Sequence, residues 1–411
     1  MSPVEIAKGI YWLGVIDWNI RDFHGYSTYQ GSTYNSFLII DEKIALIDTV
    51  KKPFADELIA SISQLVDPTK IDYVISNHTE MDHSGSLQSI MHRIGDDTPL
   101  YCSKMGYKNL SKHFPNTWNY RPVEDGDELR LGKRTLSFME TKMLHWPDSM
   151  FTYVKEDKIL FSSDAFGQHY AGLERFDDQI GEAIMPHALK YFANILLPYS
   201  SLILKLVDKV TKMGLALDMI CPDHGIIWRK DPAKIINRYV EWSQQKPKRK
   251  ALVIYDTMWH STEMMAEAIV ESLGQEGVNA RPMHLRSWHR SDIIAEVVDA
   301  GAIIVGSPTF NNGLFPTVSD FLTYMKGLRP INKVAAAFSS YGWSGEAVKL
   351  IAAFSSYGWS GEAVKLISRE LEEMKFNLID PGLKIQYVPN DQDITACHEL
   401  GKRIAEALPP E

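Results

Sequence analysis

Residues 71–83 limit the possible folds more than any other stretch of this chain. IDYVISNH (71–78) has the apolar, β-branched run of a buried strand. Its end, His78-Thr79-Glu80-Met81-Asp82-His83, delivers four ligand-type side chains where a loop turns into a helix. Side chains of the same type recur at other strand ends, with His145 in MLHWPDSM, Asp164 in ILFSSDAFG and His224 in CPDHG. A lone histidine at a strand end is ordinarily structural. Four imidazoles and three carboxylates arriving at the ends of separate strands point instead to a metal cluster.

The rest of the N-terminal half alternates strands and amphipathic helices. TYNSFLII (33–40) and KIALIDT (43–49) form an expected hairpin around Asp41 and Glu42, followed by a helix after Pro53. SGSLQSIMHRI (84–94) opens a helix with a serine cap, strands fill 134–164, and one long helix is expected over 186–213. This order predicts a mixed sheet sandwich flanked by helices. Beyond Lys246, Lys248, Arg249 and Lys250, read as a solvated linker or a docking patch for an acidic partner, the rhythm becomes regular. Strand runs at 250–255, 279–285, 302–307, 333–338 and 383–388 alternate with helical stretches, the pattern of a doubly wound parallel sheet with its ligand crevice at the carboxyl ends. We expect two domains, 1–248 and 249–411. Residues 336–351, AAFSSYGWSGEAVKLI, recur without change at 352–367. One perfect tandem copy is a recent duplication or an artefact of the record, not a solenoid.

Composition excludes several classes. A net charge of −9 argues against nucleic-acid binding. No apolar run spans a membrane, and the N-terminus has no secretory pattern, so a cytoplasmic location is expected. Cys102, Cys221 and Cys397 form no C-x-x-C pair and read as reduced, buried thiols.

The ligand pattern resembles the metallo-β-lactamase superfamily, in which His-x-His-x-Asp-His, a His, an Asp and a His hold two metals. Glu80 stands where the hydrolases carry His, and an added hard oxygen donor shifts preference from zinc toward iron. With the His-Trp-Pro-Asp around His145 and the second domain, the whole chain resembles the flavodiiron proteins (A-type flavoproteins). The resemblance implies an α/β fold: a metallo-β-lactamase-like αββα sandwich followed by a flavodoxin-like doubly wound parallel sheet. It assigns His78, Glu80 and His145 to one non-haem iron, Asp82, His83 and His224 to a second, and Asp164 to the bridge; His24 and Trp146 resemble residues of the gas-binding pocket.

In the second half, Thr257-Met258-Trp259-His260-Ser261-Thr262 follows the first strand and opens a helix, where hydroxyls and unpaired N–H groups make a phosphate site without a lysine. Pro308-Thr309-Phe310-Asn311-Asn312-Gly313 and Ser339-Ser340-Tyr341-Gly342-Trp343-Ser344-Gly345 follow the third and fourth strands. All three resemble the FMN loops of flavodoxins, and of the two copies the first is expected to serve. No dinucleotide or nucleoside-triphosphate motif is present.

Family resemblance further implies reduction of O2 to water, of NO to N2O, or both. Electrons would come through FMN from rubredoxin or a similar donor in trans, within a head-to-tail homodimer. Three other readings fit the residues: a zinc hydrolase fused to a flavodoxin-like domain, an electron carrier with a structural first domain, and a deazaflavin oxidase of the same fold.

Overall fold

The computed structural model describes residues 2–342 and 361–410, which divide into two compact units, Met1–Ser243 and Gln244–Glu411. Two large sheets build the first unit, with two small two-stranded ribbons, Val15–Asp17 with Ser32–Tyr34 and Asp22–Phe23 with Tyr26–Ser27, beside them. The larger contains β1 (Val4–Ala7), β2 (Ile10–Trp12), β3 (Phe37–Ile40), β4 (Ile44–Ile47), β5 (Tyr73–Ser76), β6 (Leu100–Ser103) and β7 (Tyr120–Val123), hydrogen-bonded in that order. The smaller contains β8 (Glu128–Arg130), β9 (Thr135–Glu140), β10 (Met150–Val154), β11 (Ile159–Phe161) and β12 (Met219–Cys221). The β3–β4 pair is the antiparallel hairpin expected around Asp41, whereas β4, β5 and β6 run parallel.

Alternation decides which residues go where. Ile39, Ala45, Ile47 and Ile75 meet Leu136, Phe138, Met150 and Phe161 in a core between the sheets. Leu38, Leu46 and Val74, one step out of phase, pack with Leu58, Ile62, Ile90 and Met91 of the outer helices. These layers are helix, sheet, sheet and helix.

Two local expectations are adjusted. The helical pattern expected over 186–213 is present but not uniform: the chain passes without a gap through Met185–Tyr191, a wider-wound turn Phe192–Leu196, a tighter turn Leu197–Tyr199 and Ser200–Lys212. Pro198 is the cause, because it offers no N–H and its ring collides with the preceding turn. The serine cap is also absent: Ser86 precedes helix Leu87–Ile94 but makes no capping bond, and its hydroxyl accepts from Val50 N–H at 3.2 Å.

The second unit holds one parallel sheet of β13 (Lys248–Tyr255), β14 (Asn279–His284), β15 (Ala300–Pro308), β16 (Val334–Tyr341), β17 (Asn377–Leu378) and β18 (Leu383–Gln386). Its order is β14-β13-β15-β16, with β17 and β18 both beside β16. The first strand therefore lies between the second and third, and chain direction switches at its carboxyl end. The basic run is solvated only in part: Lys246 and Lys248 are exposed just beyond the division between the units. Lys250 begins the buried part of β13 and bridges Glu296 and Asp299 at 2.6 Å, while Arg249 donates to Glu276 O at 2.7 Å. Within the duplication, β16 uses first-copy residues up to Tyr341, and helix Glu362–Glu373 starts in the second copy.

All three cysteines are buried and free; burial pushes the Cys102 and Cys397 thiols up to about 12. Among the described residues no helix is long and apolar enough to cross a membrane.

Candidate functional site

The candidate ligands of the first unit lie in segments that leave strand ends, with Asp82 and His83 on a short helix and His145 in the loop between β9 and β10. His78 is two residues beyond β5, in a loop pinned by Asp48, whose carboxylate accepts from Asn77 N and Asn77 Nδ2, each at 2.7 Å. Glu80 is extended and precedes the short helix Met81–Ser84, which turns Asp82 and His83 inward and leaves Met81 exposed. Asp164 follows β11 and His224 follows β12.

The seven predicted ligands converge on two centres. His78 Nε2 and His145 Nε2 lie 3.3 and 3.1 Å from Glu80 Oε2, and 3.3 and 3.1 Å from Asp164 Oδ2. His83 Nε2 and His224 Nε2 each lie 3.1 Å from Asp82 Oδ2, and 3.3 and 3.4 Å from Asp164 Oδ1. Two donor atoms about 2.1 Å from one ion, at cis angles near 90°, stand about 3 Å apart. Each trio thus has the spacing of donors around a shared cation, and the two oxygens of Asp164 face one trio each. Both Asp82 oxygens, Asp164 Oδ2, His83 Nε2 and His224 Nε2 are buried without a hydrogen-bond partner. Orphans of this kind are costly unless a cation satisfies them.

Protonation follows the same logic. Burial opposes ionisation of Asp82 and Asp164, but the neighbouring imidazoles outweigh it and hold both well below the usual carboxylate range. Burial would lower His78, yet hydrogen bonds to Asp148 and Glu80 win and raise it. Carboxylates that stay anionic in a buried pocket suit divalent ions.

Sequence reasoning missed the supports behind the ligands. Asp148 Oδ2 accepts from His78 Nδ1 at 3.0 Å, and Thr33 O accepts from His224 Nδ1 at 2.6 Å, fixing Nε2 toward the centre in both. Asp223 Oδ2 lies 3.6 Å from His83 Nδ1. Tyr191 donates its hydroxyl to Asp164 Oδ1 at 2.8 Å. Asp148 and Asp223 stand inside HWPD and CPDH, where a carboxylate beside a candidate ligand was the available signal. His24 stacks on Phe23, with Nε2 3.5 Å from Glu80 Oε1 and 3.9 Å from Asp82 Oδ2. Trp146 is partly exposed and packs edge-on against His78, 5.2 Å between ring centres.

In the second unit, Met258, Trp259, Ser261, Pro308 and Thr309 line one cavity with Ser340, Tyr341 and Gly342. Tyr387 and Val388, just past β18 and not singled out in the sequence, complete its rim. Thr262 supports the cavity from behind through a 2.7 Å bond to Ser340 Oγ. His260 is the left-handed residue ahead of helix Ser261–Gln275, and its exposed ring pairs with Glu263 at 2.6 Å. Phe310, Asn311, Asn312 and Gly313 form a tight turn outside the cavity lining, closed by Phe310–Gly313 backbone bonds of 2.8 and 3.0 Å. Trp343, Ser344 and Gly345 fall outside the described residues. Thr257 Oγ1 is buried without a partner next to that helix N-terminus. An unsatisfied hydroxyl, a helix N-terminus with no side-chain cap and an aromatic-rimmed cavity fit the phosphate and ring of a flavin mononucleotide.

Comparison with known proteins agrees with both halves. A family model described as ODP family beta lactamase matches residues 33–225, and a flavodoxin model matches 253–401. The chain is 47% identical over 412 residues to a nitric oxide reductase of Moorella thermoacetica, covering 99% of each. It is 42% identical to a rubredoxin-oxygen oxidoreductase of Megalodesulfovibrio gigas, covering 99% of this chain and 98% of that one. The solved flavodiiron protein of Giardia intestinalis superposes with a TM-score of 0.91 at 33% identity, covering 99% of this chain and 97% of that one. The chain is a member of the flavodiiron protein family and an oxidoreductase.

Proposed function

We propose that this protein reduces O2 to water, NO to N2O, or both, at a pair of non-haem irons held by the seven converging residues. FMN in the second-unit cavity would relay electrons from rubredoxin or a similar donor in trans. The observation that carries the reading is Asp164: one buried carboxylate turns each oxygen toward a separate two-histidine, one-carboxylate trio. Relatives named as a nitric oxide reductase and a rubredoxin-oxygen oxidoreductase support the two gases.

When bound, two ferrous ions supply one-electron chemistry and open positions for a diatomic gas. The chain's own residues do the rest. Three carboxylates, Glu80, Asp82 and Asp164, offset three of the four positive charges of such a pair, and hard oxygen donors favour iron over softer alternatives. His78 and His224 direct Nδ1 to Asp148 and Thr33, which turns Nε2 of each toward the centre as the atom that would face an ion. His24 stands beyond the ligands within reach of Glu80 and Asp82, where its ring can hold or pass a proton. The family resemblance adds a head-to-tail homodimer, in which one subunit's flavin would approach its partner's irons.

The test combines metal and flavin content with anaerobic turnover of reduced protein, following flavin reoxidation after addition of each gas. About two irons and one FMN per chain with gas-dependent reoxidation are expected. Asp164→Ala should lose iron and turnover while keeping FMN. Stoichiometric zinc with hydrolytic activity, or full turnover by Asp164→Ala, would overturn the assignment.

A further inference from the structure

Asp256 is a carboxylate with no solvent exposure, one residue before the loop read above as the phosphate site. Its partners come from three separate segments. Oδ1 accepts from Thr257 N–H at 2.7 Å and lies 3.3 Å from His284 Nε2, at the end of β14. Arg286 Nε stands 3.1 and 3.2 Å from the two oxygens. The Thr317 hydroxyl, in the first turn of helix Pro316–Leu328, donates to Oδ2.

Fixed negative charge beside a phosphate dianion is unfavourable unless neutralised, and in a buried setting the repulsion is poorly screened. The chain nevertheless places Asp256 here, and does so with a guanidinium against both of its oxygens. We propose that Asp256 and Arg286 are a positioning pair for the FMN phosphate, a reading that rests on FMN occupying the cavity. Asp256 takes the Thr257 N–H, setting the start of residues 257–262, and ties that start to β14 and to helix Pro316–Leu328. Arg286 cancels the carboxylate's charge, so the helix N-terminus and the Thr257 hydroxyl meet the phosphate without an opposing field. Neither residue lines the cavity, so each acts through the loop.

The readout is flavin affinity of the apoprotein by fluorescence quenching, with FMN and with riboflavin, which lacks the phosphate. Arg286 is half exposed, so Arg286→Met should fold. It is expected to weaken FMN at least tenfold and riboflavin less than twofold. Asp256→Asn combined with Arg286→Met, which removes both charges while keeping an acceptor for Thr257, should recover most of the FMN loss. Equal losses for the two flavins, or no loss in Arg286→Met, overturn the inference. Failure of the wild-type apoprotein to bind FMN at all would instead strike the cofactor reading.

Discussion

Asp148 offers a quantitative test of the metal centre, because it touches one trio and not the other. It accepts from His78 Nδ1 at 3.0 Å, Thr79 N–H at 2.8 Å and Asn109 Nδ2 at 3.2 Å. A hydrogen bond to a charged group contributes about 1.5–3 kcal/mol, and a neutral one about 0.5–1.5 kcal/mol. Asp148→Asn keeps an oxygen for His78 and Thr79, gives up the charge, and sets its own amide against the Asn109 Nδ2 donor. It should cost about 1–1.5 kcal/mol at His78, close to tenfold in affinity for the ion held by His78, Glu80 and His145. Asp148→Ala leaves the His78 Nδ1–H buried and unpaired, with loss of the whole bond; affinity should fall about tenfold to a hundredfold, the range for supports behind a ligand. The assay is metal retained per chain after equilibration against graded chelator, with FMN content as the folding control. The ordered result is wild type, then Asn, then Ala, with one ion lost early and the other held. Parallel loss of both ions, or Asp148→Asn binding as tightly as wild type, would refute the claim that Asp148 works through His78.

Glu80→His exchanges a hard oxygen donor for an imidazole, so protein matured with both metals should carry more zinc and less iron, with gas reduction down at least a hundredfold; elemental analysis and turnover check it. Burial lowers the Lys333 ammonium to about 7, with Nζ held by Val298 O at 3.1 Å. Its folded value lies below the unfolded one near 10.4, so the unfolded chain binds the proton more tightly and stability rises with pH from about 7 upward. Urea midpoints of the second unit at pH 7 and 9 should show that rise, and Lys333→Met should flatten it. Deletion of residues 343–358 joins Gly342 to Trp359 and leaves a single copy of the repeat. That chain should bind FMN at least as tightly as the parent, by the same fluorescence titration.

What could be read from the sequence was whatever lies in contiguous stretches. Strand alternation and donor chemistry coincide at His78, Asp164 and His224, so the candidate ligands and the strands that lead to them were visible together. Tyr191 was not, because it sits inside a long helical pattern, and no pattern signals that a tyrosine there reaches Asp164 at 2.8 Å. Tyr387 and Val388 were equally silent: both were read as the end of the fifth strand run, whereas the strand stops at Gln386 and the cavity rim exists only once β18 pairs with β16. The charged run at 246–250 was legible only in part, for a related reason. Composition suggests solvent, but Lys250 is drawn inside by Glu296 and Asp299, which are distant in sequence.

Register explains why donors from distant strands can meet at all. β11 and β12 are parallel with Phe161 opposite Cys221, and Asp164 and His224 each follow three residues beyond that pair. Equal overhang from a matched pair sends both side chains to the same level above the sheet. In the facing sheet β4 and β5 pair Ile47 with Ile75, which sets Asp48 against Asn77 and so aims His78. A slip of one residue in either pairing would turn alternate side chains to the opposite face, moving Phe161 or Ile75 out of the core as it moved the donors out of the site. Both are fully buried between the sheets, with Phe161 4.8 Å from Phe37, so the apolar contacts that resist such a slip are also what hold the two oxygens of Asp164 between the trios.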